Sequence, residues 1–195
     1  MTISLEKNPI ETLKEWLEDA KKLDIREPTA AALATADKNG IPSVRMVLVK
    51  DISEAGLVFY TNLESEKARQ LKENAHASLC FYWMPSGRQV RISGKVSMVE
   101  DNEADRYFAS REYMSRIGAW ASKQSQPLTK KLELEKRAAF YTAKYRTKPP
   151  RPPFWSGFRV HPEKIEFWIE KPFRLHERAL FTKEGEKWAS VLLYP

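Results

Sequence analysis

Arg174, His176 and Arg178 occupy alternate positions in the run FRLHER. Two guanidiniums and an imidazole at that spacing can hold an anion or a planar polar ligand. The preceding stretch KIEFWIEKPF is rich in aromatic and β-branched residues. It predicts an extended segment, with the three side chains on one face. Like charges side by side on a strand are unfavourable, and an anionic ligand opposite them removes the conflict. A solvated strand face is the alternative for an isolated RxHxR, so the rest of the chain has to decide.

Other segments carry scattered cations, hydroxyls and amides of the same kind. SVRMVLVK contains Arg45 and Lys50, and LVFYTNLESEKA contains Tyr60, Thr61 and Lys67. Gln89 follows in RQV, then Tyr107, Arg111 and Ser115 in RYFASREYMS, Gln124 and Ser125 in GAWASKQS, and Trp168 in IEFW. Tyr107, Arg111 and Ser115 are spaced four apart, so on a continuing helix they share a face that could grip one phosphate. An ordinary surface ladder has the same spacing. Arg45 and Lys50 have opposite parity on a strand and face different ligands, or different ends of one, unless a bulge intervenes.

Other chemistries lack their residues. His76, His161 and His176 are far apart and Cys80 is the single cysteine, so no metal site is expected. There is no glycine-rich phosphate loop and no nucleophile elbow. If the protein is an enzyme, a bound cofactor does the difficult step.

The elements that must position these residues are mostly strands. Asn8, Pro9 and Glu11 open a helix as cap, first residue and capping-box partner, and Ile10, Leu13, Trp16, Leu17 and Ala20 give it one apolar face. From Thr29 the pattern turns to strands, with a hairpin at Asn39-Gly40, where both residues accept positive φ. A helix capped by Ser65 runs to about Asn74, and HASLCFYW and RQVRISGKVSMVE form a hairpin around Pro85-Ser86-Gly87. Helices are expected from Asp101 to about Arg111 and from Leu128 to about Tyr145. The prolines of KPPRPP make an extended connector, and GFRVHP, KIEFWIE, FRLHERALF and WASVLL form a second group of strands, with a turn at His161-Pro162. Successive antiparallel strands predict a barrel or sandwich, mainly β with peripheral helices.

A chain of 195 residues with 42% hydrophobic and 30% charged residues is expected to form one globular domain over 1–195, with 1–25 as a helical segment packed on it. The N-terminus lacks the apolar core of a signal peptide and no stretch is long enough to cross a bilayer, so a cytoplasmic protein without a membrane partner is expected. The lone Cys80, flanked by SLCFYW, reads as a buried thiol. The net charge of +7 is spread over the chain and mixed with Glu, which argues against nucleic acid and suits small phosphorylated ligands.

Taken in order, these motifs resemble the pyridoxamine 5′-phosphate oxidase family, from about Glu27 to Pro195. The resemblance implies an FMN-binding split β-barrel and a homodimer with flavin at the interface, each site drawing on both chains. It implies FMN contacts at Arg45, Met46, Val47, Leu48, Val49, Lys50, Tyr60, Thr61, Lys67, Gln89, Gln124, Ser125, Trp168 and Arg178. Lys50, Tyr107, Arg111, Ser115, Arg174, Leu175 and His176 would hold the substrate, with Arg174 and His176 assisting catalysis. The implied reaction oxidises pyridoxamine or pyridoxine 5′-phosphate to pyridoxal 5′-phosphate with dioxygen, releasing hydrogen peroxide, and ammonia from the amine.

The chain departs from the family's pattern in three places. Glu66-Lys67 stands where an Arg-Lys pair is common, and Glu66 is expected to point to solvent and weaken flavin binding. Leu192 replaces an arginine near the end, and the N-terminus lacks a basic, tyrosine-containing arm, so closure over the substrate is expected to be weaker. Two rival functions remain: a flavin oxidoreductase of the same superfamily acting on an aromatic such as a phenazine precursor, and a non-catalytic carrier of pyridoxal phosphate or flavin. The joint presence of Tyr107, Arg111, Ser115 and the RLH motif favours the vitamin substrate over the phenazine precursor, and peroxide release would exclude the carrier.

Overall fold

The computed structural model describes residues 2–195. Helix α1 (Pro9–Lys21) begins at Pro9 with Asn8 as its cap, as its sequence predicts, the carboxamide oxygen accepting from the Ile10 N–H at 2.8 Å, but Glu11 makes no capping-box bond. Its apolar face, Ile10, Leu13, Trp16, Leu17 and Ala20, packs into the main core.

Six strands build the body: β1 (Ala30–Ala36), β2 (Pro42–Ser53), β3 (Gly56–Asn62), β4 (His76–Trp83), β5 (Arg88–Met98) and β6 (Trp155–Ile169). They pair antiparallel in the order β3-β2-β1-β4-β5-β6, and β3 pairs back onto β6 to close a barrel. Alternate residues point inward, so Leu33, Phe59, Leu79, Phe81, Val90, Ile92 and Phe167 are fully buried. Each such side chain contributes roughly 1.5–3 kcal/mol. Strands β7 (Glu177–Glu184) and β8 (Lys187–Leu193) extend the sheet from the distal half of β6. Helices α2 (Glu66–Glu73), α3 (Asp101–Ser110), α4 (Tyr113–Ala121) and α5 (Glu133–Lys144) lie in the connections.

Several local expectations are corrected. The run FRLHER is not one strand. Pro172 cannot donate to a ladder, the chain makes a 3₁₀ turn over Pro172–Arg174 instead, and Phe173 and Arg174 take φ of 59° and 62°. Strand β7 starts at Glu177, so Arg174 and His176 precede it and share no strand face with Arg178.

GFRVHP and KIEFWIE form one continuous strand, β6, instead of two. Pro162 is accommodated at a register shift opposite Ser93 and Gly94. A Cβ on Gly94 would lie 1.9 Å from the His161 carbonyl oxygen, so only glycine allows this approach.

At the β1–β2 turn only Gly40 takes positive φ. The Asp37 carboxylate builds the turn by accepting from the N–H groups of Asn39 and Ile41, both at 2.9 Å. Ser65 precedes α2 but donates its hydroxyl to the Asn62 carbonyl at 2.7 Å rather than capping the helix. Helix α5 starts later than expected, at Glu133 rather than Leu128. Cys80 is half-buried rather than buried, and that burial still pushes its thiol pKa up.

Candidate active site

A cleft of about 490 Å³ opens beside β2, β3, α3 and α4, and it gathers residues from distant parts of the sequence. Its lining includes Met46, Val47, Leu48, Lys50, Tyr60, Thr61, Lys67, Tyr107, Arg111, Ser115 and Gln124. Seven segments of barrel, helix and loop therefore converge where the sequence had offered isolated cations and hydroxyls.

One end of the cleft is built on the start of α2. Lys67 is only 8% exposed, and the hydrogen bonds of its ammonium go to neutral oxygens: Thr61 Oγ1 at 3.1 Å, Ser65 Oγ at 3.3 Å and Gln124 Oε1 at 3.3 Å. Burial pushes its pKa below the ordinary lysine value, and the nearby Arg45 charge adds to that. Thr61 Oγ1 also donates to Gln124 Oε1 at 3.1 Å, and Ser125 Oγ accepts the Glu66 N–H at 3.2 Å. Arg45 is fixed behind this group, donating to Thr35 Oγ1, to the Ser43 carbonyl at 3.3 Å and to Gln70 Oε1 at 3.3 Å. A buried ammonium among neutral acceptors and hydroxyls is a site made for an anion.

The other end rests on an aromatic stack. Tyr60 and Tyr107 lie face to face at 4.0 Å, and Tyr60 stacks on Trp155 at 5.4 Å. The Arg111 guanidinium sits 5.0 Å from the Trp155 ring and 5.6 Å from that of Phe108. Its Nη1 is buried without a hydrogen-bond partner among the described residues, and burial pushes the Arg111 pKa down. Burial and the Glu103 carboxylate push the Tyr60 hydroxyl up to about 12, so it stays protonated as a donor.

Tyr107, Arg111 and Ser115 reach this cleft by a route other than the expected one. Helix α3 ends at Ser110, Arg111 is extended (ψ 149°), and α4 begins at Tyr113. A helix break, not one continuous face, brings the three together.

On β2, Arg45, Val47 and Val49 face inward while Met46, Leu48 and Lys50 face outward, and a register shift lies at Lys50. Val49 is in the core, its N–H donates to the Thr29 carbonyl at 3.0 Å, and it does not line the cleft.

The remaining candidates form a second group at the other end of β6. Gln89 pairs with Trp168 and Trp168 with Arg178 across the ladder. The His176 ring lies 4.6 Å from that of Trp168, and its Nδ1 accepts the Lys171 N–H at 3.2 Å. Arg178 is tied to the buried Glu166 at 2.9 and 3.0 Å and to the Tyr194 carbonyl at 2.8 Å. Arg174 and Leu175 are exposed, and Arg174 has no hydrogen-bond or ion-pair partner among the described residues. Within one chain these residues do not reach the cleft, because Trp155 and Trp168 mark opposite ends of a fifteen-residue strand.

Sequence reasoning missed Trp155, the platform for Arg111, and the Gln70–Thr35 pair that holds Arg45. Trp155 follows a proline-rich connector and carries no spacing signal. Glu66 is exposed, as expected, and its carboxylate also lies 3.8 Å from Arg45 Nη2.

With this geometry in view, the sequence matches two family models. Residues 17–169 match pyridoxamine 5′-phosphate oxidase, and residues 155–195 match the pyridoxine 5′-phosphate oxidase C-terminal dimerisation region. The chain belongs to the pyridoxamine 5′-phosphate oxidase family. A family member from Brucella canis, named pyridoxine/pyridoxamine 5′-phosphate oxidase, is 54% identical over 96% of this chain and 94% of its own. PhzG from Burkholderia lata 383, solved in complex with tetrahydrophenazine-1-carboxylic acid, superposes with a TM-score of 0.92 at 36% identity over 96% of this chain and 93% of its own. An FMN-binding protein related to the family, from Nostoc punctiforme, shares the fold with a TM-score of 0.77 at 17% identity, over 100% of both chains. Among the described residues no cluster could hold a metal ion, and no helix is long and apolar enough to cross a membrane.

Proposed function

We propose that the protein oxidises pyridoxamine or pyridoxine 5′-phosphate to pyridoxal 5′-phosphate with bound FMN, dioxygen being the final acceptor. The observation that carries this reading is one cleft holding two cations, the buried Lys67 and the half-buried Arg111, neither hydrogen-bonded to a carboxylate. Two phosphate esters, one on cofactor and one on substrate, meet that need.

The residues present fit FMN. Lys67, Thr61, Ser125 and Arg45 supply the cations and hydroxyls that a phosphate requires, and the Gln124 amide suits its edge. The exposed Met46–Leu48 strip offers main-chain groups and an apolar surface for a flat ring. A bound flavin supplies the two-electron oxidation, which side chains alone cannot perform. The protein's own part is placement. Arg111, Lys50, Tyr107 and Ser115 would grip the substrate phosphate, and the Tyr60–Trp155 stack would keep Arg111 aimed at it.

Arg174, His176 and Gln89 would reach the same cleft from a second copy of the chain. The match of residues 155–195 to a dimerisation region supports this, because that region contains the RLH loop. The exposed Val44, Met46 and Leu48 on the outer face of β2 also favour a partner there. With Nδ1 occupied by the Lys171 N–H, the His176 proton resides on Nε2, free to donate to a ligand. Arg174, unpaired and exposed, would steer the pyridine ring and its reacting substituent. Both would assist through electrostatics rather than obligatory proton transfer.

Purified protein mixed with pyridoxamine 5′-phosphate without oxygen tests the reading directly. A yellow flavin band that bleaches, returns with air and yields peroxide supports it; a colourless protein that cannot be reconstituted ends it. The likeness to PhzG favours a second reading, oxidation of a reduced tricyclic aromatic acid. Such a substrate carries a carboxylate and no phosphate, so turnover of the tricyclic acid in place of pyridoxine 5′-phosphate would favour that reading.

A further inference from the structure

We propose that Glu66 is a built-in competitor at the cofactor-phosphate cradle: its carboxylate engages Arg45 and sets how tightly a 5′-phosphorylated flavin binds. The inference rests on reading the Lys67 cradle as the flavin phosphate site.

Glu66 Oε2 lies 3.8 Å from Arg45 Nη2. Glu66 is also the first residue of α2, where free N–H groups and the helix dipole favour negative charge. Its own N–H is accepted by Ser125 Oγ at 3.2 Å, and the next residue is Lys67. The carboxylate therefore lies against one of the groups that would receive a phosphate, the Arg45 guanidinium, at the start of the helix that carries Lys67. It supplies one negative charge where the ligand would bring two.

The two partners of this ion pair are held very differently. Arg45 is anchored by Thr35, the Ser43 carbonyl and Gln70, all neutral acceptors that leave its charge available. Glu66 is 54% exposed, and its carboxylate makes no other ion pair and no side-chain hydrogen bond among the described residues. An arriving dianion can displace the Glu66 carboxylate toward water while Arg45 stays in place. The displaced carboxylate remains close enough to repel the phosphate. An ordinary surface ion pair would be energetically minor and blind to the ligand. A competitor is felt only by ligands that carry the phosphate.

The test is a titration of flavin-stripped full-length protein with FMN and, in parallel, with riboflavin, which has the same ring and no phosphate. Relief of like-charge repulsion in Glu66→Gln is expected to tighten FMN binding about tenfold. Riboflavin binding should stay unchanged. Glu66→Lys should tighten FMN further. Equal shifts for both ligands, no shift for FMN, or weaker FMN binding in Glu66→Gln would each overturn the proposal. If the unmodified protein binds neither flavin, the cradle reading itself fails and the competitor falls with it; if it binds FMN and the variants do not differ, only the role of Glu66 is lost. Circular dichroism of each variant checks that α2 and the barrel remain folded.

Discussion

The Arg111 guanidinium lies 5.0 Å from the centre of the Trp155 ring, with one nitrogen buried and unpaired. A cation held against an aromatic face keeps its orientation without losing its charge to a carboxylate. Arg111→Ala is expected to raise KM for pyridoxine 5′-phosphate by about tenfold to a hundredfold, since hydrogen bonds to charged groups contribute roughly 1.5–3 kcal/mol each. FMN affinity should hold. Initial rates over a substrate series, with flavin occupancy read from the absorbance, check both statements.

Arg174 and Arg111 lie in separate groups within one chain, which gives a sharper test of the shared site. Arg174→Ala should lose turnover while melting like the parent, because the side chain is exposed and unpartnered. At substrate concentrations well below the raised KM of Arg111→Ala, mixing Arg111→Ala and Arg174→Ala chains and allowing subunits to exchange should restore about a quarter of parental activity, because half the dimers are mixed and each of those has one intact site. No recovery after exchange, verified by differently tagged chains, would place both residues in the same chain's site.

Lys67 gives the stability a pH dependence of predictable sign. Its folded-state pKa is lowered, mainly by burial, so the unfolded chain binds its proton more tightly than the folded one. The flavin-free protein should therefore gain stability as pH rises toward the ordinary lysine value of 10.5. Lys67→Met should abolish that part of the slope and lose FMN binding. Denaturant titrations of both proteins at several pH values make the comparison.

Gly94 has no room for a side chain, since a Cβ would stand 1.9 Å from the His161 carbonyl oxygen. Gly94→Ala must push β5 from β6 at the bulge that bends β6, at a cost of about 3 kcal/mol or more. The melting temperature should fall by several degrees or the protein should fail to fold. An unchanged melting curve would show that the bulge relaxes freely.

Much of this protein was determined by the order of its residues alone. Period-two alternation in HASLCFYW and RQVRIS fixed which side chains face the core, because strand geometry is local. The capped start of α1 and the Met84–Gly87 turn were legible for the same reason. Arg45, Lys67 and Arg111 could be named as candidates from residue type and motif order.

Tertiary structure decided what those cations have for company. Lys67 bonded to Gln124, Arg111 against Trp155 and Glu66 beside Arg45 all join segments far apart in sequence. Local rules also misplaced Arg174 and His176, because Pro172 stopped the strand that their spacing implied. Burial and charge pairing are properties of three-dimensional neighbours, and a linear pattern records only half of each pair.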